Sequence, residues 1–279
     1  MPEISDLIKK RVSCRTFADQ PVVAEVLREF SELVSAEHTG PFGNKPRFQL
    51  INLGDSFDGR PKKLGTYGII KNARMFLVGT IKNGDKAMED YGYCKEILIL
   101  QATGFGLGTC WLGGTFNAGG FTAAVNRQEG EIIPTVSPVG YPAQQRSITE
   151  RIMRRMAGSD NRKPWQEIFF AGNFSTPLTP KQAGIYAEAL ENLRLAPSAS
   201  NKQPWRILRT ADNSYHFYLS RAFGYEFRGV PLQNIDMGIA MSHFALTAHQ
   251  SGASGSWIIK TDPPQATSLD YICSWQENI

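Results

Sequence analysis

The sequence contains few cysteines and histidines, and neither residue type is clustered. Four of the 279 residues are cysteines and four are histidines. No CxxC pair occurs, so the pattern favours reduced thiols in a cell interior over a disulfide framework. The histidines form no HxxxH pair and have no neighbouring cysteine, and we therefore expect no metal site. The cysteines are Cys14, Cys94, Cys110 and Cys273.

Long apolar runs are also absent. No segment approaches the roughly 20 residues that a membrane helix needs, and the first 15 residues lack the apolar core of a secretory signal. Hydrophobic residues make up 42% of the chain and charged residues 20%, which excludes the disordered and collagen-like classes. We expect a globular cytoplasmic protein with no membrane partner, built as one large domain or two small ones.

The charge balance is close to even. Thirty Lys and Arg against 26 Asp and Glu give a net charge of +4, which slightly favours small anionic ligands. Six of the cations lie between residues 146 and 163, where Ile148, Ile152 and Met156 recur at helical spacing. This segment is either a solvated linker helix or a helix that turns one or two cations toward a phosphate. A duplex-binding face needs a longer basic stripe, so we expect no nucleic-acid partner.

The apolar periodicity predicts an α+β chain in which helices and strands recur twice in the same order. The first helix is predicted to begin at Ser5 as N-cap and to end near residue 14. A later helix, 181–193, follows a Thr-Pro pair, which is a good N-cap and N1 signal. The other predicted helices cover 22–36, 86–103 and 234–250, and the predicted strands cover 48–53, 75–81, 132–139, 206–210 and 215–220.

An internal repeat supports this division. Segments 90–111 and 236–257 align without a gap, and six identical pairs share one separation of 146 positions. Asp90 aligns with Asp236, and Gly92 aligns with Gly238. We predict two similar α+β halves, 1–165 and 166–279, that form an intramolecular pseudo-dimer. The chain is then expected to be a monomer.

The two halves differ in their motifs. The first half carries RVSCR at 11–15 and GLGTCWLGG at 106–114, whereas its turn motif, GPFGNKPRF, has lost most small polar residues. The second half carries the full turn motif APSASNKQPW at 196–205, but its long helix ends in GASGSWIIK without the paired glycines. Because each half keeps what the other lacks, we expect one surviving site built from both halves.

Each motif has both a chemical and a structural interpretation. In RVSCR, Arg11 and Arg15 lie four positions apart, so on the last turn of a helix their guanidinium groups can bind the oxygens of a phosphate. Basic residues at the end of a helix also complement the helix dipole, which is the structural interpretation. The glycines of 104–114 fit neither a dinucleotide fingerprint nor a P-loop. They allow close backbone approach to a flat ligand, or they form a helix cap and turn.

The loop at 196–205 collects short hydrogen-bonding side chains between two prolines. Such groups suit the polar edge of a heteroaromatic ring, and they also occur in ordinary turns. Trp111, Trp205 and Trp257 are interpreted mainly as packing residues. Cys110 has no nearby His or Asp in sequence to act as its base, which argues against a nucleophile.

Together and in this order, the segments resemble the FMN-dependent nitroreductase superfamily. The marks are RVSCR, APSASNKQPW and GTCWLGG, followed by GYPA at 140–143 and RKPWQEIF at 162–169. The resemblance covers nearly the whole chain. In ordinary members the PSxxN loop precedes the GTCW segment, whereas here the complete loop lies in the second half. The chain therefore resembles single-chain members that fuse two halves into a pseudo-dimer of nitroreductase-like fold.

The resemblance implies a flavin site. Arg11, Ser13 and Arg15 would hold the FMN phosphate, with Arg162 as a further cation. Gly113 and Gly114 would lie by flavin N5 and offer backbone N–H groups for catalysis. Ala199 stands where many relatives have serine, so only its backbone is expected to contribute. The other implied flavin contacts are Thr109, Cys110, Trp111, Leu112, Pro197, Ser198, Asn201 and Gln203.

The implied activity is NAD(P)H oxidation by a ping-pong mechanism. Hydride from NAD(P)H would pass through the flavin to a small electron-poor acceptor, such as a nitroaromatic or a quinone. The alternative is a protein of the same fold that binds or stores FMN without turnover, or a degenerate protein of that fold.

Overall fold

The computed structural model of the chain describes residues 3–52, 69–114, 116, 118–158 and 161–278. Leu53, the last residue of the first predicted strand, lies outside these ranges. The described α-helices are α1 Ile4–Lys10, α2 Ala24–Ser35, α3 Ala87–Gly104, α4 Ala118–Ala124, α5 Ile148–Met156, α6 Pro180–Ala183, α7 Ala187–Arg194 and α8 Leu232–Gln250.

The strands of the first half are β1 Arg47–Asn52, β2 Met75–Lys82, β3 Gly108–Thr109, β4 Glu131–Ile132 and β5 Val136–Gly140. Those of the second half are β6 Phe169–Ala171, β7 Asn173–Pro177, β8 Trp205–Arg209, β9 Ser214–Leu219, β10 Glu226–Phe227, β11 Val230–Pro231, β12 Gly255–Ile258 and β13 Asp270–Glu277.

Each half builds its own sheet. The first sheet has the order β1-β2-β5-β3, with β4 also paired to β2, and all its pairs are antiparallel. The second has the order β12-β13-β9-β8-β6-β7, with one parallel pair between β6 and β8. The hairpin β10-β11 stands apart. Helices and sheets are both present, which confirms the α+β class.

Two long helices, α3 and α8, form the centre of the molecule. Both are buried around most of their circumference, and neither has an amphipathic pattern, as expected for helices without a solvent face. Buried residues of α3 and α8 belong to one hydrophobic cluster that also contains residues of both sheets. None of the described helices is long and apolar enough to cross a membrane.

Glycine permits a close approach of α3 to α8. A Cβ atom added at Gly92 would overlap the carbonyl oxygen of Ile235, and one added at Gly238 would overlap the carbonyl oxygen of Glu89. Gly92 and Gly238 are 146 positions apart, which is the repeat distance. Glu89 and Ile235, whose carbonyl groups they face, are also 146 positions apart. The contact is therefore reciprocal, in the manner of an interface with two-fold symmetry.

The prediction of Ser5 as the N-cap of α1 is wrong. The helix begins at Ile4, with Glu3 in the N-cap position. The Ser5 hydroxyl instead donates to Glu188 Oε1 at 2.7 Å and accepts from Asn192 Nδ2 at 2.7 Å. These partners lie on α7, more than 180 residues away, and a local capping argument cannot include them. The helix also ends at Lys10, and the chain continues in an extended conformation.

Two other predicted elements are interrupted. The Thr179–Pro180 start is confirmed, because Thr179 Oγ1 accepts from Gln182 N while Gln182 Oε1 accepts from Thr179 N. The helix breaks, however, at Gly184, whose φ of +59° is readily adopted only by glycine. The predicted strand 132–139 is divided into β4 and β5 around residues 133–135.

Substituting Gly238→Ala is expected to destabilise the protein. The new methyl group would overlap the α3 backbone, and this overpacking outweighs the gain in helix propensity, leaving a net loss of about 1–3 kcal/mol in the free energy of unfolding. Urea unfolding checks the value. The matched control is Gly104→Ala at the end of α3, where the methyl group would meet the side chain of Leu7 at 3.7 Å, an ordinary contact distance. Equal stability of the two variants would contradict close packing.

Candidate functional site

One cavity contains most of the residues singled out in the sequence. It has a volume of about 610 Å³ and is lined by both halves of the chain. This volume lies within the range of small-molecule and cofactor sites. The predicted residues that line it are Arg11, Ser13, Arg15, Trp111, Leu112, Gly113, Gly114, Arg162, Pro197, Ser198, Ala199 and Asn201.

The RVSCR segment reaches the cavity in an extended conformation. Ser13 forms a parallel bridge with Thr109, and Cys14 N donates to the Thr109 carbonyl at 2.8 Å. In extended backbone, alternate side chains point the same way, so Arg11, Ser13 and Arg15 share one side. The predicted convergence of the two arginines is therefore present, but it arises from strand-like alternation rather than from a helical turn.

Two guanidinium nitrogens at this end of the cavity have no hydrogen-bond partner among the described residues. Arg11 Nε and Arg15 Nη1 are both buried, and Arg11 is only 8% exposed. Arg11 Nε lies 3.7 Å from Glu96 Oε1, which is an ion-pair distance but too long for a hydrogen bond. Buried donors without partners are uncommon in native proteins, and an anion with several oxygens would satisfy both.

Glu96 of α3 fixes the wall behind this cationic end. Its fully buried carboxyl group accepts from Trp111 Nε1 at 2.7 Å, and its Oε1 shares a hydrogen bond of 3.0 Å with His243 Nε2. The other ring nitrogen of His243 faces the main-chain carbonyl of Asn192 at 2.9 Å. Because both ring nitrogens face acceptors, the network needs a proton on each of them or on Glu96. Sequence reasoning missed Glu96, whose only signal was a charge within an apolar helix.

The paired glycines form another part of the wall. Leu112 pairs with Val136 through two main-chain hydrogen bonds of 3.0 and 3.1 Å, which brings Gly113 and Gly114 to the cavity. A Cβ atom at Gly113 would lie 2.8 Å from Leu232 Cδ2, so the backbone can pass here only without a side chain. Gly113 therefore packs directly against Leu232 at the start of α8, and the backbone of both glycines borders the cavity without a side chain.

The loop 197–201 enters the cavity from the second half in a strained conformation. Ser200, Asn201 and Gln203 have φ values of +48°, +55° and +48°, which non-glycine residues rarely adopt. Several hydrogen bonds hold it. Asn201 Nδ2 donates to the Gly158 carbonyl at 2.7 Å, and Asn201 Oδ1 accepts from Arg162 Nη1 at 3.2 Å. The structure thus brings together the loop and Arg162.

Three predicted residues do not line the cavity. Thr109 is buried behind the RVSCR segment, which it holds through its carbonyl group. Cys110 is also buried, and burial raises the pKa of its thiol, in agreement with the argument against a nucleophile. Gln203 lies below the loop, where its Oε1 accepts from Lys163 N at 2.8 Å. These residues support the cavity wall from outside.

Asp236 is an acidic residue in the cavity wall that sequence reasoning assigned no role. It lies in the second turn of α8 and is 4% exposed, and both of its oxygens accept from Ala199 N at 3.0 and 3.1 Å. Burial raises its pKa to about 8, against the opposing effect of the Ala199 hydrogen bond. The N–H of Ala199, the group expected to serve a ligand, is therefore already engaged.

The internal repeat contains information about the structural role of Asp236. Its counterpart, Asp90 of α3, accepts from Phe42 N at 3.0 Å and from Asn44 N at 2.9 Å, in the turn motif of the first half. Both aspartates thus hold a turn by its main-chain N–H groups. An identical residue at the same place in both halves could have indicated this role.

Comparison with known proteins agrees with the fold and the cavity. The family model described as "Putative TM nitroreductase" matches residues 3–248, and the chain belongs to this family. Its fold is the nitroreductase fold. A search of curated proteins finds no match.

One solved structure has the same fold over nearly the whole chain, and others are similar to part of it. A "putative nitroreductase" from Thermotoga maritima is 20% identical, with a TM-score of 0.60, and the match covers 98% of this chain and 93% of that chain. A nitroreductase family protein from Clostridium difficile is 20% identical over 60% of this chain and 96% of its own, with a TM-score of 0.41. A nitroreductase with bound FMN from Bacteroides fragilis is 16% identical over 53% of this chain and 92% of its own, with a TM-score of 0.39.

Asp236 is expected to make stability fall with rising pH. Between pH 4 and 8 the unfolded chain has released this proton while the folded chain retains it, so the folded state loses up to about 1.4 kcal/mol per pH unit relative to the unfolded state. Asp236→Asn keeps an oxygen that accepts from Ala199 N but removes the titration. Urea unfolding from pH 5 to 8 should show a shallower decline for the variant. Asp262→Asn, at an exposed position, is the control. Identical pH slopes for wild type and Asp236→Asn would exclude this assignment.

Proposed function

We propose that this chain is an FMN-dependent NAD(P)H oxidoreductase of the nitroreductase type, with one flavin held between its two halves. The observation that carries the proposal is the polarity of the cavity. One part of its lining has buried guanidinium nitrogens without hydrogen-bond partners, and another part is glycine backbone without side chains. A phosphate joined to a flat ring system has matching parts.

The cationic end would hold the phosphate. Arg11 and Arg15 offer guanidinium groups from one side of an extended segment, and Ser13 between them offers a hydroxyl. Arg162 would add a fourth group from beneath the loop 197–201, to which it is hydrogen-bonded through Asn201. Glu96 keeps Arg11 oriented without occupying its hydrogen-bonding positions, because their separation is 3.7 Å.

The remaining predicted residues would hold the ring and the chain that joins it to the phosphate. Pro197, Ser198 and Asn201 line the cavity and would contact the ligand directly. Gly113 and Gly114 would offer backbone N–H groups at the site of hydride transfer. Other residues would act as supports outside the cavity, namely Thr109, Cys110 and Gln203.

When bound, the flavin would supply the redox chemistry, accepting hydride from NAD(P)H and passing electrons to an electron-poor acceptor such as a nitroaromatic or a quinone. The protein would contribute orientation and electrostatics. The cations of RVSCR would favour ligands that carry negative charge, while Asp236 is the one acidic group among the described residues that line the cavity. Burial favours the neutral form of Asp236, which limits repulsion with an anionic ligand.

We propose further that residues 1–165 and 166–279 form an intramolecular pseudo-dimer. Three observations support this proposal: one sheet in each half, the reciprocal glycine contacts of α3 and α8, and the equivalent roles of Asp90 and Asp236. Each half would supply the parts of the flavin site that the other lacks, so a monomer is sufficient for activity.

Substituting Arg15→Ala is expected to weaken FMN binding by about 10- to 150-fold, since a hydrogen bond to a charged group contributes about 1.5–3 kcal/mol. Quenching of flavin fluorescence on titration with the apoprotein measures the affinity. The matched control is Arg74→Ala, whose side chain is exposed and lies outside the cavity. Unchanged affinity in Arg15→Ala would contradict the phosphate assignment. Steady consumption of NAD(P)H with a quinone or nitroaromatic separates an enzyme from a protein that only stores FMN.

A further inference from the structure

Helix α5 is oriented with its acidic residue inward and its apolar residues outward. Glu150 is 1% exposed and accepts from Thr16 Oγ1 at 2.8 Å. Ile148, Ile152 and Met156 are 74%, 53% and 83% exposed. This polarity is the reverse of an ordinary surface helix, in which the apolar stripe faces the core. The Glu150 hydrogen bond fixes the orientation, because turning the apolar stripe inward would expose Glu150 and break it.

The exposed stripe is accompanied by positive charge. At 100° per residue, Arg151 and Arg155 flank one side of the line through Ile148, Ile152 and Met156. Both arginines are exposed, and α5 has no acidic residue on this face. Val12 is another exposed apolar side chain, at 44% exposure, and it lines the same two cavities that α5 borders. We refer to Val12, Ile148, Arg151, Ile152, Arg155 and Met156 as the α5 face.

The α5 face belongs to a helix that borders the proposed flavin cavity. Met153 and Arg154, on other sides of the same helix, line that cavity. A surface that bound the α5 face would therefore lie next to the cavity.

We propose that the α5 face binds the surface of an anionic lipid bilayer. Helices that lie in a bilayer interface combine an apolar stripe, which enters the acyl boundary, with arginines that reach back to the headgroups. Anionic headgroups also attract the excess cations. A second copy of the chain fits less well, because a symmetric contact would bring the same arginines together in two copies that each carry a net charge of +4.

This proposal revises the expectation, made from sequence, that the chain has no membrane partner. The spacing of Ile148, Ile152 and Met156 predicted a helix but not the direction in which its stripe points. Binding at this place would present the cavity to acceptors dissolved in lipid, such as quinones. That consequence rests on the proposed function, whereas binding to lipid does not.

Co-sedimentation of the full chain with vesicles tests the proposal. We expect binding to vesicles that contain phosphatidylglycerol and little binding to pure phosphatidylcholine. Arg151→Gln with Arg155→Gln should weaken binding by about fivefold for each arginine removed. Ile152→Glu should abolish it, because the new carboxylate opposes both the apolar and the electrostatic contact. The amount of sedimented protein is read from the protein itself and does not depend on flavin.

Two control variants carry the same types of substitution at positions outside the α5 face. Ile185→Glu replaces a residue that is 51% exposed, and Lys82→Gln with Lys181→Gln removes two exposed cations. Both should bind anionic vesicles as the wild type does. Failure of the wild type to sediment with any vesicle, or equal losses in test and control variants, would overturn the proposal. So would a dimer in light scattering that Ile152→Glu dissociates while lipid binding is absent.

Discussion

The close approach of α3 and α8 is the constraint on which the candidate site depends. Gly92 and Gly238 leave no room for a side chain, so the two helices meet backbone to backbone. α3 carries Glu96, which holds Trp111 and orients Arg11, while α8 carries Asp236, which holds the loop 197–201. Each helix therefore positions one wall of the cavity. The distance between the walls follows from the distance between the helices.

The charges around the cavity are arranged by burial. Glu96 is fully buried behind the wall, and its Oε1 lies 3.7 Å from Arg11 Nε, so an acidic group stands next to the arginines of RVSCR on the side away from the cavity. Asp236 has one main-chain hydrogen bond and no cationic partner among the described residues, and burial keeps its pKa near 8. The cavity thus combines the positive charge of Arg11 and Arg15 with a wall in which Asp236 is neutral below its pKa. This division suits a ligand with one anionic and one aromatic part.

Sequence reasoning succeeded where the pattern is local. Continuous apolar character placed α3 and α8 within two residues, and the repeat paired Gly92 with Gly238 before their contact was known. It failed where contacts between residues that are distant in sequence determine the local structure. Ser5 bonds to α7 instead of capping α1, and Thr16 turns Glu150 inward and the α5 stripe outward. Partners more than 130 positions away cannot be read from spacing. The arginines of RVSCR converge because the chain there is extended, which the helical interpretation did not foresee.

The amount of FMN bound per chain tests the central claim most directly. The purified protein would be titrated with FMN, and the released flavin would be measured against chain concentration after denaturation. One FMN per chain is the predicted result, because only one combination of RVSCR, paired glycines and complete turn motif exists between the halves. Two FMN per chain would show that the second site is intact and that the halves are equivalent. A protein that binds none would contradict the assignment of the cavity to a flavin.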